Sequence, residues 1–203
     1  MNYQIILDET LKNLKEKKRL LLHACCAPCS SYVIEYLSKY FDITILYYNP
    51  NIDTESEFNK RLSELRRFVS EFKTENLVSV VSLGYNNLEY LEEIKGLENE
   101  KEGGSRCYKC FMQRLTKSCL YAKENNFDYF TTTLTISPLK NSKVINEIGE
   151  FLEKEYNMPY LYSDFKKREG YKRSIILSRD YNLYRQDYCG CKFSKNRKVK
   201  EDE

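Results

Sequence analysis

Residues 19–31 read RLLLHACCAPCSS. The apolar run Arg19–Ala24 has the length and composition of a buried strand. It runs straight into Cys25, Cys26 and Cys29, with Pro28 between them. The pattern repeats outward from there. Ser30–Lys39 reads as a helix and Asp42–Tyr48 as a second strand, closed by Asn49-Pro50-Asn51. Glu55–Phe72 carries Leu62, Leu65, Phe68, Val69 and Phe72 at helical spacing. Leu77–Val81 and Phe127–Leu134 read as further strands; Asn87–Ile94, Phe111–Asn125, Lys143–Tyr156 and Tyr171–Tyr181 read as helices. Strands alternating with helices predict an α/β fold: a Rossmann-like, doubly wound parallel sheet. In such sheets, sites form beyond the carboxyl ends of the strands. Cys25 and Cys26, Asn49, and Thr135–Lys140 all follow predicted strands.

The chain has 203 residues, 41% apolar and 31% charged. That supplies a core and excludes disorder. One domain spanning 1–203 is expected, with a basic, cysteine-rich C-terminal segment at 160–203. No apolar run approaches the roughly 20 residues of a membrane span. The N-terminus carries acids and reads as an amphipathic helix rather than a signal peptide. The expected location is cytoplasmic, with no membrane partner. Net charge is only +3. Residues 160–203, however, hold 12 Lys/Arg against 7 Asp/Glu, beside six tyrosines. That local excess suits an anionic polymer, and equally a solvated helix with a frayed tail.

The eight cysteines direct the chemistry. In a reducing compartment, clustered thiols point to metal or redox work rather than disulfide staples. Cys107-x-x-Cys110 sits where a loop enters a helix, a spacing that suits zinc or iron–sulfur clusters. Cys26–Cys29 is either a CxPC redox pair, as in thioredoxin-like proteins, or part of a thiolate site. Adjacent Cys25 and Cys26 reach one centre only if the chain turns sharply there. Cys189-Gly190-Cys191 closes a small, easily reduced ring if oxidised, which suits a redox-active pair; a metal site is the alternative. Cys119, inside a helix, reads as a small core residue. His23 is the only histidine, beside a strand end. It can orient a thiol, and nothing supports a Ser-His-Asp triad. Neither GxGxxG nor GxxxxGK[ST] occurs.

Together the segments Leu21–Ser31 (LLHACCAPCSS), Tyr48–Ile52 (YNPNI), Arg106–Leu115 (RCYKCFMQRL), Thr133–Lys140 (TLTISPLK) with Asn141, and Tyr188–Ser194 (YCGCKFS) resemble the QueH-type epoxyqueuosine reductases. The combination of CCxPC, RCxxCF and YCGC is specific, although each part alone is not. The resemblance implies a fold related to the PP-loop, adenine-nucleotide-hydrolase-like enzymes, with CCAPCS in place of their phosphate loop. It implies reduction of epoxyqueuosine to queuosine at the wobble position of tRNA with a queuosine-family anticodon. It implies a [4Fe–4S] cluster on Cys25, Cys26, Cys107 and Cys110, and a redox-active pair, Cys189 and Cys191. An unidentified electron donor is required.

Reducing an epoxide to an alkene takes two electrons and two protons and releases water. A cluster usually passes one electron at a time, and a dithiol passes two. Two thiol systems in one site are therefore expected. An iron with an open position would act as Lewis acid on the epoxide oxygen. That requires either that one of Cys25, Cys26, Cys107 and Cys110 not bind or that a second iron lie nearby, with Cys29 the extra thiolate for it. Asn49, Lys140 and Tyr188 are candidate substrate contacts. Lys166, Lys167, Arg168, Lys172, Arg173, Lys192, Lys195, Arg197 and Lys198 are candidate phosphate contacts, and Tyr171 or Tyr188 could stack on a base. Two rival readings are a thiol–disulfide oxidoreductase using Cys26 and Cys29, and a zinc-stabilised nucleic-acid-binding module. Each rival explains one cysteine group, whereas the reductase uses all three.

Overall fold

The computed structural model describes residues 2–195; the candidate contacts Arg197 and Lys198 lie outside them. Four parallel strands form one sheet in the order β3-β2-β1-β4. They are β1 (Lys18–His23), β2 (Phe41–Tyr47), β3 (Val78–Ser82) and β4 (Tyr129–Thr132). The helices are α1 (Tyr3–Lys12), α2 (Ala27–Leu37), α3 (Glu55–Glu71), α4 (Asn87–Glu93), α5 (Ser105–Glu124), α6 (Ser142–Tyr156), α7 (Gly170–Asp180) and α8 (Lys192–Lys195).

The doubly wound arrangement follows from β1. Alternate side chains of a strand point to opposite faces. Leu20 and Leu22 pack with residues of α1, α2 and α3, such as Leu7, Ile34 and Leu65. Leu21 packs on the other face with Leu115 of α5 and Ile148 of α6. All three leucines are fully buried, each worth about 1.5–3 kcal/mol of transfer free energy. From β1 the chain winds to β2 and β3, then returns past β1 to β4. Strand order therefore reverses between β1 and β4, and their carboxyl ends open a crevice there.

Three boundaries differ from the sequence expectation. α5 begins at Ser105, six residues early, so Cys107 and Cys110 lie inside the helix. α2 begins at Ala27, with Pro28 in its first turn, where a missing N–H costs nothing. β4 stops at Thr132, whose hydroxyl accepts from Leu134 N–H and starts a 3-10 turn over Thr133–Ile136. No helix among the described residues is long and apolar enough to cross a membrane.

Gly149 of α6 lies against the Tyr160 ring; a Cβ there would meet ring carbons at 2.3–2.5 Å. Tyr160 cannot retreat. It is bridged to Phe130 and packed edge-on against Phe130 and Tyr162. Gly149→Ala should therefore destabilise the fold by about 1–3 kcal/mol through overpacking. An exposed helical glycine would instead gain roughly 0.5–1 kcal/mol from the same change. The urea midpoint of the metal-free protein reads the sign.

Candidate cysteine centre

The end of β1 delivers the first thiols. Cys26 is extended (φ −173°, ψ 163°) and caps α2, so the chain turns from strand to helix at that residue. The turn lets adjacent cysteines converge: Cys25 Sγ and Cys26 Sγ are 3.7 Å apart. Cys29, in the first turn of α2, joins them, and the three sulfurs all lie within 4.8 Å of one another. Among the described residues this is the group of three or more metal-capable side chains drawn that close. The trio titrates as a unit. Hydrogen bonds from Cys26 and Cys29 hold Cys25 well below the ordinary thiol range. The bond to Cys25 pushes Cys26 up to about 12, and Cys29 rises for the same reason.

α5 supplies the second pair. Gly103 N–H donates to Cys107 Sγ at 3.2 Å. Cys110 is buried, which pushes its thiol up to about 11. Cys107 packs against the cluster that holds Cys25 and Cys26, while Cys110 packs with Tyr90, Ile94, Cys189 and Cys191. One turn of helix thus faces both other cysteine groups.

The third group lies on a strap, residues 184–191, clamped to α3 and the loop before it. Buried Arg61 pairs with Glu57 at 2.6 Å and donates to the Cys189 carbonyl at 3.3 Å. Asp53 N–H donates to the Gly190 carbonyl at 3.0 Å, and the Asp53 carboxylate accepts from Tyr188 and Lys195. Gly190 has φ +116°, and a Cβ there would come within 3.0 Å of Ile52 and 3.2 Å of Arg61. Cys189 Sγ and Cys191 Sγ are 3.8 Å apart as free thiols. The hydrogen bond between the two sulfurs favours thiolate at Cys189 and raises Cys191.

A cavity of about 530 Å³ is shared by the first and third groups; neither Cys107 nor Cys110 lines it. Cys25, Cys29 and Cys189 line it, with Lys140, Tyr171, Arg185 and Tyr188. Lys140 reaches it from the segment after the 3-10 turn, and Tyr188 from the strap. Asn49 does not line it. It is fully buried behind the thiols, donating to the Ala24 carbonyl at 2.9 Å and accepting from Arg114 at 2.6 Å. Arg114, on α5 one turn beyond Cys110, also donates from Nε to His23 Nε2 at 3.3 Å. His23 Nε2 also lies 3.2 Å from the Tyr48 carbonyl, and its Nδ1 lies 2.8 Å from Thr132 Oγ1, so the ring is held between the end of β2, β4 and α5. Burial, and then Arg114, lower His23 to about 3, so its ring is neutral. His23 thus orients Arg114 rather than a thiol.

The basic patch is largely committed elsewhere. Lys166 pairs with Asp164, Arg168 with Asp8, Lys172 with Glu169 and Arg173 with Glu35. Cys119 is fully buried beside α6, as a core residue. Sequence reading missed Arg61 and Arg114. The signal was available: each sits on the apolar face of its helix, Arg61 beside Phe58, Leu62 and Leu65, and Arg114 beside Cys110, Phe111 and Leu115.

Comparison with known proteins places this geometry in context. The family described as "Epoxyqueuosine reductase QueH" matches residues 20–197. An epoxyqueuosine reductase QueH of Streptococcus pyogenes is 45% identical over 199 residues, covering 96% of this chain and 78% of its own. That of Staphylococcus epidermidis is 42% identical over 201 residues, covering 96% and 84%. Among solved structures, the U34-tRNA thiolase NcsA from Methanococcus maripaludis, determined with its [4Fe-4S] cluster, superposes with a TM-score of 0.55. It is 15% identical, covering 95% of this chain and 67% of its own, and it shares this parallel α/β fold. On the family match and these identities, the chain belongs to the epoxyqueuosine reductase QueH family of oxidoreductases.

Proposed function

We propose that this protein reduces epoxyqueuosine to queuosine in the anticodon of tRNA, using a [4Fe–4S] cluster and the Cys189–Cys191 pair. The observation that carries the reading is the convergence of Cys25, Cys29 and Cys189 on one cavity. The donor set fits a cluster: soft, clustered sulfurs, with no carboxylate or imidazole in the tight trio. Cys25, Cys26, Cys107 and Cys110 would be its ligands on the family resemblance, while among the described residues the sulfur drawn tightest to Cys25 and Cys26 is that of Cys29. Cys29 is the thiolate free for a second iron. The cluster, when bound, supplies single electrons at low potential.

The chain's own residues account for the rest. A cavity of about 530 Å³ suits one unstacked nucleoside. Tyr171 offers a ring face to its base, the Tyr188 ring being covered by Arg61 and Lys195, while Lys140 and Arg185 offer donors to its oxygens and phosphate. The dithiol form of Cys189 and Cys191 holds the two electrons and two protons the reaction consumes. Both C–O bonds of the epoxide break, an alkene forms, and the oxygen leaves as water. A disulfide forms between Cys189 and Cys191. An external electron donor then returns two electrons to that disulfide, and two protons from solvent restore the dithiol. A cytoplasmic location belongs to the same reading.

Anaerobic purification should give a brown protein with acid-labile sulfide and at least as much iron, active on tRNA bearing epoxyqueuosine. Cys25→Ala or Cys110→Ala should lose the visible absorption. Cys189→Ser or Cys191→Ser should keep it and lose turnover. A colourless, zinc-loaded wild type would refute the reading.

Gly190→Ala tests the strap. A side chain at φ +116° and within 3.0 Å of Ile52 costs about 1–3 kcal/mol. Alkylation of Cys191, 6% exposed in the native fold, should then accelerate roughly 5- to 150-fold in folded protein. An unchanged alkylation rate would show that the clamp does not hold Cys191.

A further inference from the structure

Arg114 is the least explained charge in the protein. Its side chain is only 2% exposed. Its guanidinium bonds His23 Nε2 at 3.3 Å, Asn49 Oδ1 at 2.6 Å and Cys110 Sγ at 3.8 Å. The imidazole and the amide are neutral, and no carboxylate pairs with Arg114 among the described residues. Buried Arg61, by contrast, has Glu57. Buried Arg106 has the carbonyls of Leu97, Glu98 and Glu100, whose dipoles supply negative charge.

A buried cation without a counter-ion is strongly unfavourable. The groups near Arg114 able to carry negative charge are the thiols Cys110, Cys25 and Cys189. They belong to all three cysteine groups. The hydrogen bonds also fix where the charge sits. Asn49 follows β2, His23 ends β1, and Arg114 rises from α5, so three elements aim one guanidinium at the back of the centre. An arginine suits that place because it never loses its proton.

We propose that Arg114, held by His23 and Asn49, is a buried counter-charge of the cysteine centre, in addition to Lys140 on the cavity wall, and a positioning residue that raises the reduction potential of its cluster. The inference rests on the iron–sulfur reading above. A fixed cation favours the more negative, reduced state of a cluster, and burial leaves that effect unscreened by salt. A purely structural staple would affect stability and leave the potential alone.

The test is a reductive titration of the full-length, anaerobically reconstituted protein, followed by visible absorption and electron paramagnetic resonance. Arg114→Met should make cluster reduction on the order of tenfold less favourable, about 59 mV lower for a one-electron couple. Arg114→Lys keeps the charge and should stay within roughly threefold of wild type. Asn49→Asp sets a carboxylate against the guanidinium, neutralising it in place, and should shift the potential in the same direction as Arg114→Met. If Arg114→Met fails to fold or to load iron, Arg114→Lys and Asn49→Asp decide, and they must differ by about tenfold. A wild-type potential in Arg114→Met, or equal potentials in that second pair, overturns the proposal. A wild type that binds no iron and sulfide fails at the earlier step, and removes the cluster reading together with this one.

Discussion

β1 is paired in parallel on both edges, to β2 along its whole length and to β4 over Leu20–His23. Both faces of the strand are also covered, so Leu20–His23 are buried in every direction. A strand held on four sides has one register available, and its end falls at one point in space. That point is where the sheet reverses its winding order. Cys25 and Cys26 are therefore presented at the crevice by the best-fixed segment of the molecule. Every other participant is brought to them: α5 by packing across Leu21, the strap by its clamp to α3, and Lys140 by the turn that follows β4.

The centre is organised in depth. Facing the cavity are Cys25, Cys29 and Cys189. Beneath them are Cys26, Cys110 and Cys191, all buried. Behind these lies the polar layer of His23, Asn49 and Arg114, whose hydrogen bonds tie β1, β2 and α5 together. Polar groups are tolerated there because each finds a partner, and the cation meets sulfur. Soft, polarisable sulfur on one side and a permanent charge on the other make this a region of high internal field.

Much of this was legible in the sequence. The run RLLLHA fixed the central strand, and the alternation that follows it fixed the parallel sheet. The spacing of CCAPC, CYKC and CGC announced three thiol groups. Their meeting was not legible, because it depends on long-range packing. The convergence of Cys25 and Cys26 required the strand-to-helix turn at Cys26, which pattern alone leaves open. α5 began earlier than its apolar periodicity, since its first turn is held by contacts to the thiols and to the 97–100 loop rather than by a hydrophobic stripe. Arg61 and Arg114 were overlooked for a related reason. A charge at a core-facing helical position looks like noise until its partners, far away in the chain, are known.

The paired cations of residues 166–173 bear on how the protein would meet a polyanion. Lys166, Arg168, Lys172 and Arg173 each already hold a carboxylate of the same chain. A phosphate arriving at one of them displaces that carboxylate instead of freeing a loosely condensed metal ion from the RNA at no internal expense. The entropy of ion release, which drives most protein–nucleic acid attraction, is thereby reduced. Affinity would then respond to ionic strength less steeply than a tally of basic residues suggests, and shape and stacking would carry more of the selectivity.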